Sequence, residues 1–201
     1  MATTITGTST LAERFWPAST ASARLLRNIV LVIAGTALLT LSAKLKVPFW
    51  PVHMTMQTAV VLMIGAAYGW RLGTLTVLAY LAEGALGAPV FTGTPEKGLG
   101  LAYMAGPTGG YLAGFVAAAF ITGWFADRGF DRRPLALTGV MLAAEIVLYA
   151  LGLLWLGTLV GWDKTLQFGL YPFLPAEIVK LALAVAVIMA GGRIFRDLRG
   201  A

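Results

Sequence analysis

The stretch PFLPAEIVK, residues 172–180, sets Glu177 and Lys180 three positions apart at the head of an apolar run that continues to Met189. Residues three apart on a helix share a face, so an acid and a base stand together where an apolar segment begins. Charges in such segments are costly, are usually paired or turned inward, and mark candidate functional sites. The alternative is an interfacial ion pair that only orients the last helix. Glu83 and Lys97 could join the pair if the third and sixth apolar segments end on one side. Carboxylates accept hydrogen bonds and ammonium groups donate them. Two of each could grip a small molecule carrying N–H, carbonyl and carboxylate groups, or they could pair among themselves and stitch helices together. Trp50, Phe91, Tyr103, Tyr111, Tyr171 and Phe173 could wall such a pocket, which should be mostly apolar with a few placed polar groups. Taken singly, each also suits an aromatic belt at the membrane surface. Gln57, just inside an apolar segment, must either bridge two helices or contact ligand, and His53 beside Pro51 reads as an interfacial loop residue. Glu145, midway along another apolar segment, could be a polar bridge, a partner contact or part of a proton path.

Composition decides what must position these residues. Of 201 residues, 58% are hydrophobic and only 12% charged, and mean hydropathy is +0.80. Ordinary soluble domains are about 45–50% apolar and about 25% charged, so the chain reads as an all-α integral membrane protein. A spanning helix needs about 20 apolar residues, which allows six spans with short loops and no soluble ATP-binding domain. The spans are expected near 25–43, 54–68, 72–86, 108–126, 134–160 and 172–192. Residues 1–24 read as an N-terminal cytoplasmic tail, 25–193 as a six-helix membrane domain and 194–201 as a basic C-terminal tail. The first apolar segment leads through Lys44 into further spans, so it reads as a span and not a cleaved leader.

Lysine and arginine placement orients the bundle. Arg14, Arg24, Arg27, Arg71, Arg128, Arg132, Arg133, Arg193, Arg196 and Arg199 fall on one side; Lys44, Lys46, Lys97 and Lys164 fall on the other. The positive-inside rule then places both termini in the cytoplasm of a multi-pass cell-membrane protein. The net charge of +6 is accounted for by this rule, without a nucleic-acid partner. The long Pro/Gly-rich segments 47–57 and 87–107 and the loop 161–171 fall outside, so the chemistry faces outward beneath a lid. Small residues repeat every four positions at Gly65/Gly69/Gly73, Gly110/Gly114/Ala118 and Ala182/Ala186/Ala190, rows that let helices approach closely or that face a membrane partner. The chain has no cysteine and one histidine, which argues against thiol catalysis and a histidine-built metal site. No phosphate-binding loop, nucleophile elbow or paired-His zinc motif occurs. No catalytic residue, cofactor or metal is expected.

Four motifs in order, VPFWPVHMTMQT, YLAEGALGAPVF, GPTGGYLAGF and PFLPAEIVK, resemble the BioY family, the biotin-specific substrate-binding subunits of energy-coupling factor transporters. The likeness runs from about residue 47 to residue 180. It implies a six-helix protein, not an enzyme, that captures biotin at its outer face. Its partners would be membrane lipid and the transmembrane coupling and ATPase subunits of an energy-coupling factor module. In the family the acid and lysine of the last motif line the biotin site, which carries over to Glu177 and Lys180; Asp is commoner where Glu177 stands. Polar residues of the third span and lid loop carry over to Glu83 and Lys97. The family usually has Pro where His53 stands, so His53 inherits no role. Members carry an Ala-rich pattern on the first helix that meets the coupling subunit; here Ala34, Gly35 and Ala37 form an imperfect repeat. Glu177, Lys180, Glu83 and Lys97, with Gln57, Trp50, Tyr111 and Tyr103, make up the expected biotin site. The competing readings are the same fold serving another small vitamin, an intramembrane enzyme using His53 with Glu83, and a purely structural membrane partner.

Overall fold

The computed structural model describes residues 10–47 and 54–200; Trp50 and His53 lie outside the described residues. In chain order the elements are α1 (Leu11–Phe15), α2 (Ala21–Lys44), β1 (Lys46–Val47), β2 (Met54–Thr55), α3 (Gln57–Ala85), α4 (Gly100–Met104), α5 (Gly109–Ala126), a 3-10 turn (Phe130–Arg132), α6 (Pro134–Val160), α7 (Trp162–Gly169) and α8 (Leu174–Gly200). Among the described residues five helices, α2, α3, α5, α6 and α8, are long and apolar enough to cross a membrane. The only pairing of strands among the described residues is antiparallel, Lys46 with Thr55 and Val47 with Met54.

α3 joins two of the expected spans, and it is not one rod. At Gly69 the backbone takes φ 78°, ψ 172°, a region essentially restricted to glycine, and the chain doubles back. Gln57 Nε2 donates to Tyr80 Oη at 2.7 Å, although 23 positions of straight helix would separate them by roughly 34 Å. A Cβ on Gly73 would lie 3.1 Å from Gly65 Cα, so the two glycines are the contact point of the hairpin. The segments expected at 54–68 and 72–86 are therefore two antiparallel halves meeting at a one-residue reversal at Gly69, between them.

Small residues let the neighbours close in. A Cβ on Gly65 would stand 2.7 Å from the Ala119 carbonyl of α5, and one on Gly114 would stand 2.7 Å from the Leu148 carbonyl of α6. α5 is thus clamped between α3 and α6, with Leu62, Val77, Leu137, Met141 and Leu148 buried around it. The row on α8 behaves differently: Ala182, Ala186 and Ala190 are exposed, while Ala184 and Ile188 face the core.

Three expected irregular segments are helical. The tail expected over 1–24 contains α1, closed by reciprocal Thr10 and Glu13 capping bonds of 3.3 Å. It docks because Leu11 is buried, Arg14 pairs with Asp131 at 2.8 Å and Phe15 meets Phe195 edge-on at 5.5 Å. The loop expected over 161–171 contains α7, whose buried Thr165 and Gly169 are flanked by exposed Trp162, Leu166 and Phe168, an amphipathic helix of interfacial type. The last helix does not stop near residue 192 but continues to Gly200. The contact of Phe15 with Phe195 places the beginning of the described chain and the end of α8 at the same end of the molecule.

A side chain at position 69 would be strained by φ and would press on the Asp127 carboxylate. Gly69→Ala is expected to cost about 1–3 kcal/mol from backbone conformation alone and to lower the thermal unfolding midpoint in detergent. Gly139→Ala, in helix α6 with open space around the added methyl, is the matched control and should not lower it.

Candidate ligand site

The ends of α3, α5, α6 and α8 enclose a cavity of about 450 Å3 under the 87–107 segment, within the usual small-molecule range of about 300–1,000 Å3. At its polar end Glu177 and Lys180 are each 5% exposed. Lys180 Nζ donates to Glu177 Oε1 at 2.8 Å. Tyr149 of α6 donates to the same oxygen at 2.9 Å, and Thr58 of α3 donates to Oε2 at 2.9 Å. The carboxylate is thus held from three helices. A carboxylate offers about four acceptor positions and an ammonium three donors. Among the described residues, one position on Oε2 and two ammonium hydrogens therefore have no partner.

The segment over the cavity is held by stacking and hydrogen bonds. Phe91 stacks on Tyr103 with centroids 5.0 Å apart and meets Tyr80 edge-on at 5.4 Å. Tyr80 Oη donates to the Val90 carbonyl at 3.0 Å, and Tyr103 Oη to the Thr92 carbonyl at 2.8 Å. Burial raises the Tyr103 hydroxyl above its ordinary value, so it remains a donor at neutral pH. Lys44, at the end of α2, donates to the Thr94 carbonyl at 2.7 Å and to its hydroxyl at 2.9 Å. The expected lid thus carries α4 and is latched to the first long helix.

Of the residues singled out from sequence, Glu177, Lys180, Lys97, Gln57, Tyr103 and Tyr111 all line the cavity, as do Phe91 and Phe173. Gln57 bridges the two halves of α3 as well as lining the cavity. Glu83 does not line it: it sits half-buried two residues before the end of α3, its carbonyl accepting the Ala88 N–H at 3.1 Å. Tyr171 points outward, 58% exposed. Sequence reasoning missed Thr58, Thr92, Tyr149, Phe115 and Phe168, which also line the cavity. Tyr149 carried one usable signal, because a tyrosine within an apolar helix needs a partner for its hydroxyl when buried. Glu145, one turn before Tyr149, is buried on the side of Glu177 and Lys180, and its Oε1 has no hydrogen-bond partner among the described residues. No group of three or more His, Cys, Asp or Glu that could hold a metal occurs among the described residues.

The family model described as the BioY family matches residues 11–197. The chain belongs to the BioY family. Among BioY relatives, a protein named "Probable biotin transporter BioY" from Pyrococcus horikoshii is 38% identical over 161 residues, covering 80% of this chain and 93% of its own. "Biotin transporter BioY" of Thermotoga maritima is 33% identical over 165 residues, covering 82% and 95%. A solved structure, the S-component for biotin from an ECF-type ABC transporter, matches with a TM-score of 0.73 at 25% identity, over 92% of this chain and 96% of that one. Both the helical hairpin at Gly69 and the cavity lie within the span that the BioY family model covers.

Removing one partner of a buried ion pair leaves the other uncompensated, at about 3–5 kcal/mol. Lys180→Ala should therefore unfold at distinctly lower temperature in detergent, and adding Glu177→Ala should restore part of the loss. Lys44→Met should leave the melting midpoint nearly unchanged while raising amide exchange over residues 92–98, read by hydrogen–deuterium mass spectrometry.

Proposed function

We propose that this protein captures biotin at the outer face of the cell membrane as the substrate-binding subunit of an energy-coupling factor transporter. The observation that carries this reading is the buried Glu177–Lys180 pair with its unused acceptor and donor positions at the polar end of an aromatic cavity. A cyclic urea presents N–H donors and a carbonyl acceptor side by side, which matches a carboxylate oxygen next to an ammonium group. Phe91, Tyr103, Tyr111 and Phe173 cover the apolar ring, and Lys97, on the lid side, meets the carboxylate of the side chain. Glu83 has no ligand contact in this reading. The names of the biotin transporter relatives and of the solved biotin S-component support it.

The chain crosses the membrane six times in this reading, because the two halves of α3 count separately. Five crossings would put the ends of the chain on opposite faces, whereas Phe15 touches Phe195. Arg14, Arg27 and Arg71 gather at that end with Asp127 and Asp131, and Lys44 and Lys97 stand at the other. That asymmetry supports cytoplasmic termini. The coupling and ATPase subunits supply the energy for transport, since the chain carries no phosphate-binding loop of its own.

Calorimetric titration of the detergent-purified protein with biotin tests the reading. Tight binding is expected, and an absence of binding by folded protein would overturn it. Lys97→Ala should weaken binding by roughly tenfold or more, the loss of one hydrogen bond to a charged group. Glu83→Ala should leave binding essentially unchanged. So should His53→Ala, whereas an enzyme using His53 with Glu83 would lose its function in both variants.

A further inference from the structure

A second cavity, of about 400 Å3, opens at the opposite end of the bundle between α1, the start of α2, the Gly69 reversal and the end of α5. Its walls carry two guanidinium groups, Arg27 and Arg71, and two carboxylates, Glu13 and Asp127. Arg27 is only 7% exposed. Its Nε and Nη2 each donate to Asn28 Oδ1 at 3.2 Å, and its Nη1 donates to the Trp16 carbonyl at 3.2 Å. Glu13 Oε1 stands 3.9 Å from Arg27 Nη2, beyond hydrogen-bond reach, so among the described residues donor capacity remains in the cavity. Arg71 lies over the Trp70 ring at 5.1 Å and has no ion-pair partner among the described residues.

The same two helices lead from this cavity into apolar surface. Ile29 and Ile33 on α2, and Leu75 and Leu78 on α3, are 47–62% exposed and begin within one turn of Asn28 and Arg71. Trp70 meets Trp124 edge-on at 5.9 Å beside the cavity, an aromatic pair of the kind that sits at the membrane–water boundary. A charged cavity opening onto an apolar helical face fits an amphiphile. Its charges balance, so a lone anion would meet two carboxylates and a lone cation two guanidinium groups.

We propose that this cavity holds the headgroup of a membrane phospholipid bearing both a phosphate and a primary ammonium group, with its acyl chains along α2 and α3. The phosphate oxygens accept from Arg71 and from the remaining Arg27 N–H groups, and the ammonium donates to Glu13. A trimethylated headgroup has no N–H to donate, and the Trp70 face that could receive it is taken by Arg71. The inference rests on the membrane-spanning part of the proposed function and not on biotin.

The experiment is native mass spectrometry of the protein released from nanodiscs of phosphatidylcholine doped with equal phosphatidylethanolamine and phosphatidylglycerol. The wild type should retain phosphatidylethanolamine over both others by roughly tenfold, the worth of one charge-assisted hydrogen bond. Arg71→Ala should lose that retention, and Glu13→Gln should move the preference toward phosphatidylglycerol. Biotin titration and melting midpoints of both variants should match the wild type. Equal retention of the three lipids, or an unchanged lipid profile in both variants, would overturn the proposal. Free phosphoethanolamine displacing the lipid at equal concentration would overturn the lipid as the source. Co-sedimentation with vesicles of any composition tests membrane residence separately, so its failure would be recognised as failure of the membrane reading.

Discussion

A carboxylate and an ammonium group set inside a bundle of apolar helices have lost water and must be solvated by the protein. Glu177 and Lys180 manage this with each other and with two hydroxyls, Thr58 and Tyr149, delivered by different helices. Burying such a pair is not an efficient route to stability, because the desolvation cost can match the attraction. Its value here is directional. The pair fixes the polar end of the cavity, and the three helices that satisfy Glu177 must converge there for the charges to be tolerated at all. The register of α8 against α3 and α6 is therefore tied to the same contacts that define the polar end of the candidate site.

Convergence at that end depends on a reversal at the other. Thr58 and Gln57 open α3, and Tyr80 lies near its far end in sequence, yet Gln57 and Tyr80 are bonded. Only the backbone turn at Gly69 makes this possible, and the glycines on either side let the two halves touch. Close packing continues outward through Gly114 to α6. Without bulky side chains at these crossings, short helices can be held by backbone contact and dispersion, which suits a lipid environment where the hydrophobic effect does not drive helices together.

The two ends of the molecule are chemically unlike. One carries the aromatic cavity, a lid held by Tyr80, Tyr103 and Lys44, and the amphipathic α7. The other carries most of the described arginines, the docked α1 and a polar cavity. In the proposed orientation that division separates capture of a ligand from contact with the inner membrane surface. α2 connects the two ends, since Arg27 in its first two turns stands beside the polar cavity and Lys44 at its end forms the latch.

Much of this was legible in the residues themselves. Apolar run lengths located the long helices, and Glu177 with Lys180 stood out because charges are rare in such segments. Gln57, Lys97, Tyr103 and Tyr111 followed from polarity or aromaticity near span ends, and all line one cavity. Glu83 satisfied the same criterion and does not line it, because linear position gives a depth along the bundle and not a bearing around it. For the same reason the row at Ala182, Ala186 and Ala190 could not be assigned to the core or to the outer face. The docking of α1 escaped notice because its long-range anchors, Asp131 and Phe195, are distant in sequence. The sequence by itself determined the membrane class, the span order and which residue types carry the chemistry, since these depend on composition and local periodicity. Only the tertiary structure decided that Thr58 and Tyr149 complete the carboxylate's partners, because which hydroxyl reaches a buried charge depends on how helices rotate and pack against one another.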